Sequence, residues 1–433
     1  MPKNTKVVKN SIWIMGGKIL QMIIGLVIGL LSARYLGPSN YGVINYAGSY
    51  ISFFTPVYTL GLSSILVNEL LKKPEEKGAI LGSSIVLRLI GSLISSALII
   101  LVVFCIHPGD DVLLIVTALQ CVAIFFQWSD LFTYWCQSEL NSKASVIVQL
   151  VAYILTSIYK IWLLATGKSV LWFAFSISFD YILQAIFYLF YFRKRTGQRY
   201  LFKASVAKSL FKNSYHYIFA AFGAVLYAQT DKLMLGWFFD TQEVGLYTAA
   251  VTISTMWTFI LSALIDSCRP NIIQTSETDN ERYKSKIIQL YSIIIYSSIF
   301  VCLVMCFASK WIVYLLYGNE YLGAVPALCV YSWSILFSYL GVARSIWCVA
   351  ENKQRYEKYL TFGGALLNVV LNLIFIPLLG IAGAAIATLA SQFVSNVLIA
   401  FFLHNIRENS MFILRALNPV QAKNFICEFF GRK

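Results

Sequence analysis

Long apolar runs separated by short polar stretches follow one another along the whole chain. A run of about 20 apolar residues is long enough to cross a bilayer as a helix. The pattern therefore predicts twelve membrane-spanning helices, at residues 11–33, 41–67, 79–105, 112–135, 144–166, 169–192, 213–238, 244–266, 286–308, 322–349, 359–379 and 382–404. The connections between them are too short to hold a sizeable soluble domain.

The density of Lys and Arg alternates between successive connections. When the chain is threaded through twelve spans, 26 of the 34 Lys and Arg residues fall in one set of connections and 3 in the other. Because connections rich in Lys and Arg stay in the cytoplasm, we expect both ends of the chain to be cytoplasmic.

The most basic connection, residues 193–212, separates six predicted spans from six. It predicts an N-terminal six-helix bundle at 1–192, a basic cytoplasmic linker and a C-terminal six-helix bundle at 213–404. The remaining segment, 405–433, mixes apolar residues with cations, a pattern typical of a cytoplasmic interfacial tail.

The composition agrees with an all-α membrane protein. Hydrophobic residues make up 58% of the chain and charged residues 12%, whereas soluble domains carry about 25% charged residues. The formal charge of +14 lies mainly beside the spans, which indicates membrane orientation and not a nucleic-acid partner. The nine cysteines form no Cys-x-x-Cys pair, so we expect no disulfide framework, metal site or cofactor.

An internal repeat relates the two halves. A shift of 203 residues places Lys9-Asn10-Ser11 on Lys212-Asn213-Ser214 and Gly42 on Gly245. Six spans separate the copies, so both copies run in the same direction. This predicts two parallel-repeat six-helix bundles around a central cavity.

A polar stripe at helical spacing follows the second span of each half. Its members face either the central cavity or neighbouring helices, where Ser and Thr often form interhelical hydrogen bonds. They are Asn45, Ser49, Ser52, Thr55, Thr59 and Ser63, and at the shifted positions Thr248, Thr252, Thr255, Thr258, Ser262 and Asp266.

Ionisable residues inside spans are costly in lipid and are functional candidates by default. The cations are Lys18, Arg88, Lys160, Lys232 and Arg344, and the acids that could carry a coupling proton are Asp130, Asp180 and Asp231. Lys18 and Arg88 each share a helix face with small residues, which leaves room for a bulky ligand. Alternatives remain open for two of them, since Arg344 could extend to the interface and Lys160 could pair with Asp180.

Unpaired cations in a cavity favour an anionic cargo, and Arg suits phosphate in particular. The sequence resembles the polysaccharide flippases of the multidrug/oligosaccharidyl-lipid/polysaccharide exporter superfamily. The resemblance lies in the run ARYLGPSNYG at 33–42, the preceding Asn10-Ser11, the second-half run GWFFDTQEVG at 236–245 and the twelve-span plan.

The resemblance implies a carrier in the bacterial cytoplasmic membrane that moves undecaprenyl-diphosphate-linked O-antigen or capsule repeat units to the outer leaflet by alternating access. Its partners would be this lipid-linked oligosaccharide, membrane lipids and other polysaccharide-assembly membrane proteins. Two alternatives are a drug or cation extruder of the same superfamily, which favours acidic cavity residues, and a membrane polymerase or glycosyltransferase. The latter needs catalytic groups on a water-exposed surface, which the short connections do not offer.

Overall fold

The computed structural model describes residues 3–196 and 200–430, and within these ranges the chain is all α-helical without a strand. The α-helices are α1 (Lys3–Phe53), α2 (Thr55–Thr59), α3 (Leu66–Lys72), α4 (Lys77–Ile106), α5 (Asp111–Phe126), α6 (Asp130–Ser138), α7 (Ser142–Ala165), α8 (Val170–Thr196), α9 (Ala204–Phe238), α10 (Thr241–Thr255), α11 (Thr258–Thr278), α12 (Asn280–Tyr317), α13 (Val325–Ala350), α14 (Gln354–Phe393), α15 (Ile399–Phe402), α16 (Arg407–Ala416) and α17 (Pro419–Phe430). The fold class predicted from the sequence, an all-α polytopic membrane protein, is confirmed.

Two of the long helices each contain one predicted span and the first part of the next. The backbone of α1 breaks at Gly37, where φ is 69°, and Pro38 follows; α14 breaks at Gly380, where φ is 58°. Glycine fits these positions because the left-handed region penalises a Cβ atom. Length and apolarity alone identify eight candidate spans in the described residues, or nine with the bent pair of α10 and α11. Dividing α1 and α14 at their glycines and adding the more polar α9 gives the twelve predicted spans.

Helix boundaries repeat with the 203-residue shift. The helices that begin at Thr55 and Lys77 in the first half correspond to those that begin at Thr258 and Asn280 in the second. The break at Gly37 likewise falls on Asp240, which caps the start of α10 through a hydrogen bond from the Glu243 amide (3.0 Å). The repeat seen in the sequence is thus also present in where the helices begin.

The chain divides into two compact units, residues 1–225 and 226–433. This division lies within α9, downstream of the basic connection at 193–212. A physical reason is that the end of this connection is attached to α4: the Leu201 amide donates to the Gly78 carbonyl (3.2 Å), and the Lys203 amide donates to Ser83 Oγ (3.2 Å). A Cβ atom at Gly82 would lie 2.6 Å from the Leu201 carbonyl oxygen, so glycine permits this close approach.

Each unit has its own core. In the first unit, buried side chains of α3, α4, α6 and α8 pack together, including Leu66, Leu81, Phe132 and Tyr188. In the second unit, the core is formed by α11 to α16 and includes Tyr291 and Trp347. The segment after residue 404 contributes to it: Phe412 is buried, and Asn409 donates to the Tyr291 hydroxyl (2.6 Å).

The membrane orientation predicted from the charges is testable at two exposed positions, Lys203 and Asp240. In a chain whose nine cysteines are replaced, Lys203→Cys should react with a membrane-impermeant thiol reagent only from the cytoplasmic side. Asp240→Cys should react only from the outside, because an odd number of spans separates the two positions. Labelling of intact cells and of inverted vesicles measures this, and the opposite accessibility at either position would contradict the predicted topology.

Candidate functional site

A polar cavity of about 340 Å³ lies within the first unit, between α1, α6 and α7. Its charged lining residues are Lys18 and Asp130, both of which the sequence singles out. The other polar lining residues are Gln21, Thr133, Tyr134, Gln137, Ser145 and Gln149. The cavity thus combines one cation and one carboxylate with neutral hydrogen-bonding groups.

Close packing of α1 on α7 positions the Lys18 side of the cavity. A Cβ atom at Gly17 would lie 2.4 Å from Val146 Cγ1, so glycine allows the two helices to approach. On the α7 side, Gln149 Nε2 donates to Thr133 Oγ1 (3.1 Å), and Thr133 in turn contacts the Tyr188 hydroxyl (3.0 Å). These contacts fix the wall of the cavity opposite Lys18.

Arg88 lies on α4 and is only 2% exposed. Its Nε and Nη1 atoms are buried without a hydrogen-bond partner in the described structure. Arg88 does not line the cavity. Its charge interacts with that of Asp130, and both charges also interact with the hydroxyl groups of Tyr58 and Tyr134. A buried guanidinium with free donors is costly, which makes this region a candidate for binding an anion.

Asp180 and Lys160 form a separate part of the first unit. The carboxylate of Asp180 accepts hydrogen bonds from Gln184 Nε2 (2.8 Å) and from Thr156 Oγ1 (3.4 Å). The charges of Lys160 and Asp180 attract each other, although the pair is not in direct contact within 4 Å in the described structure. A direct Lys160–Asp180 pair is therefore not formed in the described structure, and the role of the two residues stays a prediction.

A carboxylate surrounded by neutral donors lies in the second unit. Asp231 on α9 is 5% exposed and accepts hydrogen bonds from the Tyr247 hydroxyl (2.5 Å), Asn372 Nδ2 (2.6 Å) and Thr388 Oγ1 (2.5 Å). Asn368 extends the network to Thr388 Oγ1 (3.3 Å). The adjacent Lys232 is half-buried, and its charge interacts with that of Asp231. The three donors compensate for the burial of the carboxylate.

The hydrogen-bond partners of Asp231 were not predicted from the sequence. Asn368 and Asn372 are four residues apart in an apolar span, so they lie on one face of α14, and both are fully buried. Buried amides at this spacing are a signal of a polar network that hydropathy alone does not weigh. Tyr247 and Thr388 carry no such signal, since aromatic residues and threonines are frequent throughout the chain.

Arg344 is engaged by protein groups. Its Nε and Nη2 atoms donate to the Glu357 carboxylate (2.9 and 3.4 Å), Nη1 donates to the Asn396 carbonyl (3.1 Å), and Nη2 also donates to Asn396 Oδ1 (3.0 Å). The predicted span that holds Arg344 contains no acidic residue, and Glu357 lies on the next helix, α14. With 2% exposure and its donors engaged, Arg344 has the contacts of a structural residue.

The Arg344 contacts coincide with an irregular turn. Residues Val394–Leu398 are π-helical, a geometry that displaces backbone carbonyls from the regular ladder. Arg344 donates to the carbonyls of Ser395 (3.5 Å) and Asn396 in this turn. Gly341 permits the contact, because a Cβ atom there would lie 2.3 Å from Asn396 Oδ1.

Most hydroxyls of the polar stripe bond to their own helix. Ser49, Thr59, Thr252 and Thr255 each donate to the carbonyl four residues earlier, at 2.7–2.8 Å. Such bonds favour bending, and both helices break at the matched positions Phe54 and Trp257. Other members differ. Asn45 donates to the Tyr41 carbonyl, and Thr258 donates to the Thr255 carbonyl. Three hydroxyls contact tyrosine hydroxyls: Thr55 that of Tyr58, Ser63 that of Tyr134, and Ser262 that of Tyr339 on α13 (2.9 Å). Thr248 Oγ1 has no hydrogen-bond partner in the described structure, Ser52 is half-buried and Asp266 is exposed.

Among the described residues, no three His, Cys, Asp or Glu side chains lie close enough together to hold a metal ion. The expectation of no metal and no cofactor stays a prediction. Asp231 brings a buried carboxylate beside the hydroxyl oxygens of Tyr247 and Thr388, and oxygen atoms are the ligands that small hard cations prefer.

The fold and the buried charges define a polytopic membrane protein. The chain belongs to the polysaccharide biosynthesis protein family, whose pattern it matches over residues 7–276. This confirms the family resemblance seen in the sequence.

Similar proteins agree with this family. A probable low-salt glycan biosynthesis flippase, Agl15, of Haloferax volcanii is 26% identical over 201 residues, which is 46% of this chain and 42% of that protein. An uncharacterized membrane protein of Methanocaldococcus jannaschii is 22% identical over 223 residues, 50% of this chain and 43% of that protein. The match therefore spans less than half the length of either relative.

Two solved structures share the fold at 14% sequence identity. The lipid II flippase MurJ in an inward closed conformation has a TM-score of 0.71, with 98% of this chain and 99% of that chain covered. An inward-facing multidrug resistance MATE family transporter of the MOP superfamily has a TM-score of 0.69, with 92% and 95% covered. At this identity the likeness establishes the fold.

The structural interpretation of Arg344 predicts a loss of stability. Arg344→Ala should lower the free energy of unfolding by roughly 2–4 kcal/mol, because Glu357 and the carbonyls of the π-helical turn lose their donor while one partner stays partly solvated. Thermal unfolding of the detergent-solubilised protein measures this. The control is Arg269→Ala, which removes a single 3.3 Å hydrogen bond to Ser345. Equal unfolding temperatures for the two variants would contradict the interpretation.

Proposed function

We propose that this protein is a flippase for a polyprenyl-diphosphate-linked oligosaccharide, an O-antigen or capsule repeat unit. The observation that carries the proposal is the cavity lined by Lys18, in a chain that belongs to the polysaccharide biosynthesis protein family. The proposed activity is transport by alternating access, with no chemical change to the cargo, so the protein is not an enzyme. The proposed location is the bacterial cytoplasmic membrane with both ends of the chain cytoplasmic.

The cavity has the chemistry that this cargo requires. A lysine ammonium binds phosphate as a point charge. The side-chain amides of Gln21, Gln137 and Gln149, together with the hydroxyl groups that line the cavity, can form hydrogen bonds with sugar hydroxyls. A volume of about 340 Å³ suits the diphosphate with its first sugar rather than the whole oligosaccharide or the lipid. The polyprenyl chain is apolar and stays in the bilayer, where it needs no polar partner.

Arg88 contributes at longer range. Its buried charge makes the potential in this region more positive, since the protein interior screens charge less than water does. An anion that enters beside Lys18 therefore gains from both cations. A drug or cation extruder remains the alternative, because Asp130 also lines the cavity; substrate competition in the transport assay separates the two.

Removing the cations should abolish transport without removing the protein from the membrane. In cells that depend on this gene for surface polysaccharide, Lys18→Gln and Arg88→Ala should each reduce export at least tenfold, and Arg88→Lys should recover part of it because charge returns without the guanidinium fork. Surface polysaccharide and membrane-inserted protein are measured together. The matched control is Lys208→Gln at an exposed position of α9. Normal export in both cavity variants would refute the proposed site.

Asp231 is proposed to carry the coupling ion, a proton or a small cation such as Na⁺ that its oxygen ligands suit. Asp231→Asn should uncouple transport from the driving gradient, whereas Tyr247→Phe, which keeps the carboxylate, should weaken coupling only in part. Flipping is measured in proteoliposomes with a pH gradient, a Na⁺ gradient and a membrane potential imposed separately. A wild-type rate indifferent to both ion gradients would contradict this role. The membrane potential alone acts on the anionic head group, at up to roughly 2.3 kcal/mol per charge per 100 mV.

A further inference from the structure

Asp130 is a carboxylate in a cavity that, on the proposed function, binds an anion. The lining places it with Lys18 and three polar residues of its own helix, Thr133, Tyr134 and Gln137. A permanent negative charge there opposes a diphosphate. Its presence therefore requires an explanation beyond anion binding.

The surroundings leave Asp130 unusually unsatisfied. In the described part of the chain its carboxylate forms neither a hydrogen bond nor an ion pair within 4 Å, although its charge interacts with that of Arg88. Arg88 in turn has unused buried donors. In the described structure the two opposite charges thus interact without a direct ion pair that would neutralise either of them.

The other groups that interact with Asp130 are a carboxylate with hydrogen-bond partners of its own and neutral tyrosine hydroxyls. Asp180 interacts with Asp130, but it accepts hydrogen bonds from Gln184 and Thr156 and is attracted by Lys160. Tyr58, Tyr134 and Tyr181 also face the Arg88–Asp130 pair and contribute neutral hydroxyls. Among the described residues, Asp130 is thus a carboxylate without a contacting partner that shares the cavity lining with Lys18 and interacts with the charge of Arg88.

We propose that Asp130 is the resident counter-ion of this site: it balances Lys18 and Arg88 when the site is empty, and an anionic head group binds together with a proton on Asp130. This proposal rests on the proposed function and specifies how that site is regulated. A like charge disfavours ionisation of a neighbouring carboxyl group, so the bound diphosphate favours the protonated form. By reciprocity, protonated Asp130 favours the bound diphosphate to the same extent.

The consequence is a site whose affinity depends on one proton. When Asp130 is ionised, it competes with the head group for the two cations and promotes release. When it is protonated, its hydroxyl can donate to a phosphate oxygen. A site with fixed cations alone would bind a diphosphate tightly and release it slowly. This site can bind the diphosphate tightly when Asp130 is protonated and release it when Asp130 is ionised.

The test measures binding to the full-length protein in phosphatidylcholine nanodiscs. The probe is farnesyl-diphospho-N-acetylglucosamine, a diphosphate diester. It carries constant charge over about pH 5.5 to 8, because it lacks the second ionisation near pH 6 of a phosphate monoester. Any pH dependence of its affinity therefore comes from the protein.

For the wild-type protein, affinity should fall with rising pH, by up to about tenfold per pH unit while Asp130 ionises. Asp130→Asn should bind with little pH dependence, and at pH 8 about tenfold or more tightly than the wild type. Asp130→Glu keeps a titrating carboxylate and should keep the pH dependence. The matched control, Asp111→Asn, changes an exposed residue at the start of α5 and should behave as the wild type.

The outcomes separate the two proposals. Binding that is lost in Lys18→Gln and Arg88→Ala, but has the wild-type pH profile in Asp130→Asn, overturns the counter-ion role and leaves the flippase site intact. Weaker binding in Asp130→Asn at every pH also overturns it. Absence of wild-type binding, or binding indifferent to both cation variants, overturns the proposed site and the counter-ion role with it.

Discussion

The hydrocarbon of a membrane offers no hydrogen-bond partner, and this constraint governs the rest of the structure. Every backbone group and every charge within the spans must be satisfied by the protein itself. The described chain meets the backbone requirement with helices throughout. The long helices α1 and α14 break at Gly37 and Gly380. Where the ladder is interrupted, a side chain compensates: Arg344 donates to the displaced carbonyls of the π-helical turn at 394–398.

The intramembrane charges differ in how far the protein itself meets this constraint. Arg344 is neutralised by Glu357 and capped by backbone oxygens, so it is a fixed element of the second unit. Asp231 accepts hydrogen bonds from three neutral donors, which stabilise the buried side chain but bring no positive charge to it. Lys18, Arg88 and Asp130 are neither paired by contact nor fully hydrogen-bonded in the described structure. A bound ligand can supply the hydrogen-bond and ion-pair partners that these charges lack.

Hydropathy and charge patterns predicted the spans well because each span is a local property of the sequence. The twelve runs fall on helical segments, although the runs at 41–67, 112–135 and 244–266 each cross a break between helices. The residues that break α1 and α14 are visible in the sequence as Gly37-Pro38 and Gly380. The boundary between the units was harder to predict, since it depends on the docking of residues 200–203 onto α4, a contact between segments 120 residues apart.

The chemical role of each intramembrane charge depends on distant partners, which a single sequence does not reveal. Arg88 and Arg344 look alike in the sequence, as single arginines in apolar spans, yet one has free donors and the other is saturated. The difference lies in Glu357 and Asn396, which reach Arg344 from other parts of the chain. A buried cation is a binding-site candidate when its neighbours leave some of its hydrogen-bond donors without acceptors. In the described structure Arg88 meets this condition and Arg344 does not.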